Sequence, residues 1–335
     1  MTPFMLALRF ERTGDLSALE LVDLPAPEPG PGEVVVRVVA AGLNPSDVKN
    51  VEGYFSYTTL PRIPGRDFSG IVARGPSALV GTPVWGTGKE LGFTRDGVHA
   101  EYVVIPSSGV SHKPQVLGFA EAASVGVPYT TAWSALERCQ VEAGQNVVVV
   151  GAAGAVGSAA LDLAAWRGAN VVGTVRRDEQ KVALEARGAR GVIVEHPAAL
   201  ADAVMGIFPR GADVVFDTTG AYLAGAVAAL AVEGRIAVIA APKGGKVELP
   251  VLALYRRGGV VVGVNSLLYD TAACAKVLDR LGAGFSLGKL AAPRGFARTP
   301  FALALSAYAD VHRGQPGKRV FVVGSQEDRS SGASG

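Results

Sequence analysis

The run Val147-Val148-Val149-Val150-Gly151-Ala152-Ala153-Gly154-Ala155-Val156-Gly157-Ser158 has the makings of a phosphate cradle. Four valines suit a buried strand, the glycines a tight turn, and the alanines that follow a helix. In such a turn backbone N–H groups approach a pyrophosphate, and the positive end of the helix dipole faces the anion. The strict fingerprint is G-x-G-x-x-G. Here it reads Ala152-x-Gly154-x-x-Gly157, preceded by Gly151. A glycine pattern alone is weak; its place between strand and helix in a βαβ unit gives it weight. Gly151, Ala153, Gly154, Ala155, Val156 and Gly157 are the expected dinucleotide contacts. The other reading is a tight turn with no ligand.

The end of the next strand discriminates between cofactors. An NAD site places Asp or Glu there on the ribose hydroxyls, whereas an Arg accommodates the 2′-phosphate of NADP. Val171–Val175 ends without an acid and runs into Arg176 and Arg177, the latter 20 positions after Gly157. Two guanidiniums can hold a phosphate dianion by forked, charge-assisted hydrogen bonds. The alternative is a pair of solvated surface residues. Local chemistry favours NADPH over NADH, with Asp178 as a helix cap.

Positioning these groups requires a framework. The chain has 335 residues, and single cores rarely grow past about 250–300 residues, so two domains are expected. Apolar residues make up 49%, ample for a core, and the net charge of +2 leaves no footprint for nucleic acid. Cys139 and Cys274 cannot build a disulfide framework, which suits a reducing cytoplasm. No secretory pattern stands at the start, and no apolar run is long enough to predict a membrane span.

The first third reads as β-rich: 33–39, 70–73, 83–85 and 100–104 are short strands between turn residues, the pattern of a small irregular barrel. From about Glu121 helices and strands alternate. Strands are expected at 147–150, 170–175, 191–194, 213–217, 235–240 and 259–264, with helices at 155–167, 178–186, 198–207 and 221–231. Six such strands fit a doubly wound parallel sheet. A third segment follows: a helix near 271–281, an irregular stretch 282–299, a helix near 301–312 and a strand 318–323 that returns to the first domain. The expected domains are 1–124 with 268–324, then 125–267, with 325–335 as a disordered tail.

Several motifs keep a familiar order: Gly32–Val38, Ala40-Ala41-Gly42-Leu43-Asn44-Pro45-Ser46-Asp47, Pro61–Gly70, Thr130-Thr131-Ala132-Trp133, the glycine turn, Phe216–Gly220 and Gly317-Lys318-Arg319-Val320. With them the chain resembles the zinc-independent quinone oxidoreductase and enoyl reductase branch of the medium-chain dehydrogenase/reductase superfamily, over about Leu6 to Val323. The resemblance implies an α/β protein: a GroES-like irregular β-barrel plus a Rossmann domain with a doubly wound, six-stranded parallel sheet. It also places Asn44, Arg66 and Val127 where zinc-dependent relatives carry metal ligands. An amide, a guanidinium and a valine cannot supply the N/S/O shell of Zn²⁺. His99, His112, His196 and His312 show no ligand spacing, so no metal is expected.

Without a metal to hold an alkoxide, hydride transfer to an electron-poor acceptor is favoured: a quinone or an α,β-unsaturated carbonyl. The resemblance sets Asn44 beside the nicotinamide, as a donor to cofactor ribose or substrate carbonyl; an Asx-turn before Pro45 is the alternative. Asp47 either orients a neighbour or caps a helix. Tyr54 is the candidate proton or hydrogen-bond donor and substrate contact. Arg66 faces a substrate or cofactor anion, or else makes a structural ion pair with Asp67 or Asp47. Lys49 reads as solvated. By the same resemblance Thr131, Thr174, Ala240, Ala241, Val264 and Asn265 line the cofactor. Two other functions stay open: an enoyl-thioester reductase, and an NADPH-binding protein without catalysis. The edge strand 259–264 suggests a homodimer, and no nucleic acid or membrane is expected as a partner.

Overall fold

The computed structural model describes residues 4–242 and 244–324; the expected tail 325–335 lies outside them. The fold divides into two compact units. One runs up to Val127 and resumes at Leu267; the other is Pro128–Ser266.

The first unit opens with β1 (Phe4–Phe10) and β2 (Leu19–Pro25), an antiparallel pair. There follow β3 (Glu33–Leu43), α1 (Pro45–Val51), β4 (Asp67–Arg74), β5 (Pro83–Gly86), β6 (Tyr102–Pro106) and β7 (Ser111–His112). Valines of β3 alternate into a core with Phe10, Phe68, Phe301, Tyr308 and Phe321. Two register irregularities against β4, at Val35/Val36 and Val38/Ala40, bend β3. That bend lets one long strand serve β4, β6 and a partner from the far end of the chain.

Helix α2 (Phe119–Arg138) carries the chain out of this unit, with Pro128 inside it at the boundary. The second unit then winds through β8 (Asn146–Val150), α3 (Ala155–Trp166), β9 (Asn170–Val175), α4 (Asp178–Glu185), β10 (Arg190–Ile193), α5 (Leu200–Met205), β11 (Ala212–Asp217), α6 (Leu223–Ala229), β12 (Leu230–Val238), α7 (Val251–Arg256) and β13 (Val260–Gly263). The sheet order is β10-β9-β8-β11-β12-β13, and every pairing is parallel. This is the doubly wound Rossmann order, whose direction reverses between β8 and β11.

Two helical expectations shorten here. The helix expected over 221–231 stops at Ala229, because Leu230 turns extended and pairs with Ala212 at the foot of β12. The one expected over 198–207 splits into a 3₁₀ turn at Pro197–Ala199 and the short α5.

The chain re-enters the first unit through α8 (Thr271–Ser286), β14 (Phe296–Pro300), α9 (Ala304–His312) and β15 (Lys318–Val322). The stretch expected to be irregular, 282–299, gives the last turn of α8 and most of β14, an edge strand parallel to β15. β15 pairs antiparallel with β3, Arg319 opposite Leu43, as the return of the last strand required. Among the described residues no helix is long and apolar enough to cross a membrane.

Candidate active site

In the second unit the glycine turn leaves β8 through Gly151, whose φ of +76° lies in the left-handed region. A Cβ there would lie 2.4 Å from Thr218 Oγ1, and that hydroxyl donates to the Val150 carbonyl at 2.7 Å. The turn glycine is thus Gly151. Ala152 needs no special conformation: it is buried, and its N–H donates to the Thr174 carbonyl at 3.1 Å. Gly157 lets α3 close on the turn, since a Cβ would lie 2.4 Å from the Gly151 carbonyl oxygen. Gly154 is the N-cap of α3 and offers no capping side chain. A Cβ on it would meet only the Gly151 oxygen, at 3.4 Å. The space before the free N–H groups of α3 therefore stays open, a cradle of the kind that takes a pyrophosphate.

Around that edge lie the C-terminal ends of the other strands. Arg176 and Arg177 are exposed just past β9. The Arg176 N–H donates to Gln180 Oε1 at 3.1 Å; Arg177 occupies the N-cap position of α4 with no side-chain capping bond, and Asp178, expected as the cap, is the first residue of the helix. Burial pushes the Tyr222 hydroxyl pKa up, with the Arg176 charge pulling the other way. Past β12, Ala240 is approached so closely by Gly220 that a Cβ on the glycine would lie 2.1 Å from its carbonyl oxygen; Ala241 follows it. Past β13, Val264 donates its N–H to the Val238 carbonyl at 2.9 Å, with Asn265 next to it. Thr131, on α2, is buried with its hydroxyl unpartnered among the described residues. The open cradle and this orphan hydroxyl fit a dinucleotide.

The first unit gathers a buried polar group around Asp67. Asp67 Oδ1 accepts from Thr87 Oγ1 and from the Val127 N–H, each at 2.8 Å. Its Oδ2 accepts from Asn44 Nδ2 at 2.9 Å and from Lys318 Nζ at 3.1 Å. Lys318 Nζ also donates to Asn44 Oδ1 at 2.7 Å. Gly126 permits this approach, since a Cβ would lie 2.3 Å from Asp67 Oδ1. Asp47, in the first turn of α1, accepts the Asn44 backbone N–H at 2.8 Å, so it does cap. Its other oxygen lies 3.7 Å from Arg66 Nε, which decides the ion-pair alternative for Arg66 in favour of Asp47. Arg66 is 2% exposed, donates to Ser46 Oγ at 2.5 Å, and stacks over Phe93 at 5.6 Å. Burial raises the Asp47 carboxyl to about 6, against the pull of Arg66.

Tyr54 stands apart from this group. It is 71% exposed and lines an open surface cavity of about 500 Å³ with Glu52, Leu16 and His312. The aromatic neighbours of Arg66 are Phe93 and, stacked on it at 5.7 Å, Tyr57. The sequence reading gave no role to Asp67 beyond a partner for Arg66, and none to Lys318 or Tyr57. Lys318 was within reach: it lies in the closing motif on a strand expected to return to this domain.

Of the three positions that the resemblance matches to the metal ligands of zinc-dependent relatives, Asn44 and Val127 bond Asp67 and Arg66 pairs with Asp47, and their donor chemistry does not fit zinc. Asn44 has both polar atoms engaged, Arg66 is a cation, and Val127 contributes a backbone N–H. Among the described residues no cluster of three or more His, Cys, Asp or Glu could hold a metal.

The family descriptions that match are "Alcohol dehydrogenase GroES-like domain" over residues 30–115 and "Zinc-binding dehydrogenase" over 155–282. The zinc-type alcohol dehydrogenase-like protein C337.11 of Schizosaccharomyces pombe is 40% identical over 276 residues, 81% of each chain. Human quinone oxidoreductase is 29% identical over 296 residues, 85% of this chain and 88% of its own. The chain belongs to the medium-chain dehydrogenase/reductase superfamily. A solved NAD-dependent alcohol dehydrogenase superposes with a TM-score of 0.86 at 31% identity, covering 95% of this chain and 100% of that one. A medium-chain oxidoreductase acts on small molecules with a nicotinamide cofactor.

Proposed function

We propose that this oxidoreductase is NADPH-dependent and metal-independent, and reduces quinones or α,β-unsaturated carbonyls. The observation that carries the reading is the Asp67 group: where zinc would sit in its relatives, this chain offers an amide and an ammonium. Such groups donate hydrogen bonds to a developing oxyanion and need no alkoxide ligand. NADPH would be held by the Gly151–Gly157 turn, with Arg176 and Arg177 on its 2′-phosphate and Thr131, Thr174, Ala240, Ala241, Val264 and Asn265 along its length. Bound there, it supplies a hydride to an electron-poor carbon.

For an enone, hydride addition at the β-carbon puts negative charge on the carbonyl oxygen. The uncommitted Nδ2 hydrogen of Asn44 is the donor we assign to that oxygen, and a proton from water completes the α-carbon. For a quinone, the hydride and one proton give the hydroquinone. Asp47 and Arg66 hold the loop that carries Asn44. A solved relative named as NAD-dependent does not weigh against NADPH, because the 2′ position is read by a few local side chains.

Rapid-mixing loss of NADPH absorbance against a panel of quinones and enones, with and without a strong chelator, tests the reading. Turnover unaffected by the chelator is expected. No oxidation by any acceptor overturns the catalytic assignment, and loss with chelator overturns the metal independence.

We also propose a homodimer formed through β13. It is the last strand of its sheet, and Val260 and Val261 are 44% and 37% exposed. An apolar edge of that kind pairs readily with another strand.

A further inference from the structure

We infer that Lys318 and Asp67 are positioning residues that lock the orientation of the Asn44 amide; the inference rests on the reductase reading above. A carboxamide is nearly symmetric in shape, so its orientation is decided by its partners. Here the partners leave no choice. Lys318 carries only donors and lies 2.7 Å from Oδ1; ionised Asp67 carries only acceptors and lies 2.9 Å from Nδ2. Flipping the amide would set N–H against ammonium and oxygen against carboxylate.

The two locking residues are themselves held. All four bonds to Asp67 come from separate donors: Thr87, the Val127 backbone, Asn44 and Lys318. Gly126 gives the carboxylate its place against α2. Lys318 reaches the site because β15 pairs with β3 at Arg319–Leu43, one step from Asn44 on the antiparallel register. Gly42 leaves room beside it; a Cβ there would be 3.0 Å from the ammonium. The two buried charges compensate each other at 3.1 Å.

The consequence is chemical as well as steric. An ammonium on Oδ1 polarises the amide and strengthens its N–H groups as donors. One Nδ2 hydrogen is taken by Asp67, so the second is preset in direction and sharpened in acidity. That is the preorganisation an oxyanion donor needs.

The test is a double-mutant cycle on kcat with Lys318→Met and Asn44→Ala. Lys318→Met should lower kcat by about tenfold or more with KM for NADPH within about twofold. In the Asn44→Ala background it should change kcat by less than about twofold, because there is no amide left to orient. Unchanged kcat, or the same loss in both backgrounds, overturns the inference.

Where Lys318→Met fails to fold with Asp67 unpaired, Lys318→Met combined with Asp67→Asn removes both charges and takes its place, with the same outcomes. A second readout needs no turnover. The two side-chain Nδ2 protons of Asn44 should resonate far apart by NMR in the wild type and draw together in the Lys318 variant. A free-amide pattern in the wild type overturns the positioning even in an active enzyme. A locked pattern in a wild type that reduces nothing overturns the reductase reading instead.

Discussion

The methyl group of Ala152 fills the space that Gly173 leaves open: a Cβ on Gly173 would lie 2.6 Å from it. The departure of the glycine fingerprint at Ala152 is therefore matched by a glycine on the neighbouring strand. Leu184 Cδ2 crowds the same point at 2.7 Å. Gly173→Ala should destabilise the second unit by about 1–3 kcal/mol through overpacking. Adding Ala152→Gly should recover much of that loss. Urea denaturation of the single and double variants checks both statements, and a neutral Gly173→Ala would refute the packing argument.

Arg176 and Arg177 emerge, exposed, where β9 ends. Arg177 comes only within 4.0 Å of Glu179, so no strong ion pair competes for it. Replacing both with alanine should weaken NADPH binding by about 10- to 100-fold, the scale of one or two charge-assisted phosphate contacts. NADH binding should change by less than about twofold, since it lacks the 2′-phosphate. Fluorescence titration of each cofactor distinguishes the cases. Equal losses for both would remove the 2′-phosphate assignment.

Two buried groups impose opposite pH dependences on stability. Burial raises Asp47 from 3.8 to about 6. Between those values the unfolded chain has released a proton that the folded one keeps, so stability falls as pH rises, by about 3 kcal/mol. His99 behaves inversely. Burial lowers it from 6.5 to about 3, so stability falls as pH drops through that window, by up to about 5 kcal/mol. Its neutral form is built in: Nε2–H donates to the Gly42 carbonyl at 3.4 Å, and Nδ1 accepts from Tyr308 Oη at 2.8 Å. Asp47→Asn should therefore steepen the gain in stability from pH 4 to 6, and His99→Gln should reverse it. Parallel stability curves for all three proteins would contradict both assignments.

The second unit was largely readable because its signals are local. Each strand and the helix after it announce themselves within about ten residues, and the glycine turn sits where strand becomes helix. The first unit was less so. β1 and its antiparallel neighbour β2 were both missed, and the other edge of β1 is held by distant groups: the Leu6 N–H donates to Glu101 and the Leu8 N–H to the His99 carbonyl. β14 was missed because Phe296-Ala297-Arg298-Thr299-Pro300 alternates no apolar face; it is an edge strand held by β15. The Asp67 group depends on the same long-range closure. Asp67 and Lys318 lie 251 positions apart, and only the return of the last strand brings them together. Tyr54 lies close in sequence to the Asn44 motif, but the stacked ring beside Arg66 belongs to Tyr57 through Phe93.

The exposed edge at β13 gives the last prediction. Val260 and Val261 stand at the end of the sheet with no strand beyond them among the described residues. Unpaired edge N–H and C=O groups flanked by valines are a pairing template, and a buried lysine at such a seam costs several kcal/mol when two copies must face each other. If the edge is the dimer contact, the wild type should show a mass of twice 34.4 kDa by light scattering. Val261→Lys should then shift it to the single-chain mass. Because Val261 is already 37% exposed within its own chain, the lysine should leave the far-UV circular dichroism unchanged. A wild type that is monomeric at micromolar concentration, or a Val261→Lys variant that stays dimeric, would place the contact elsewhere or remove it. The valines would then be an unprotected edge, and the wild type should aggregate on warming sooner than the lysine variant.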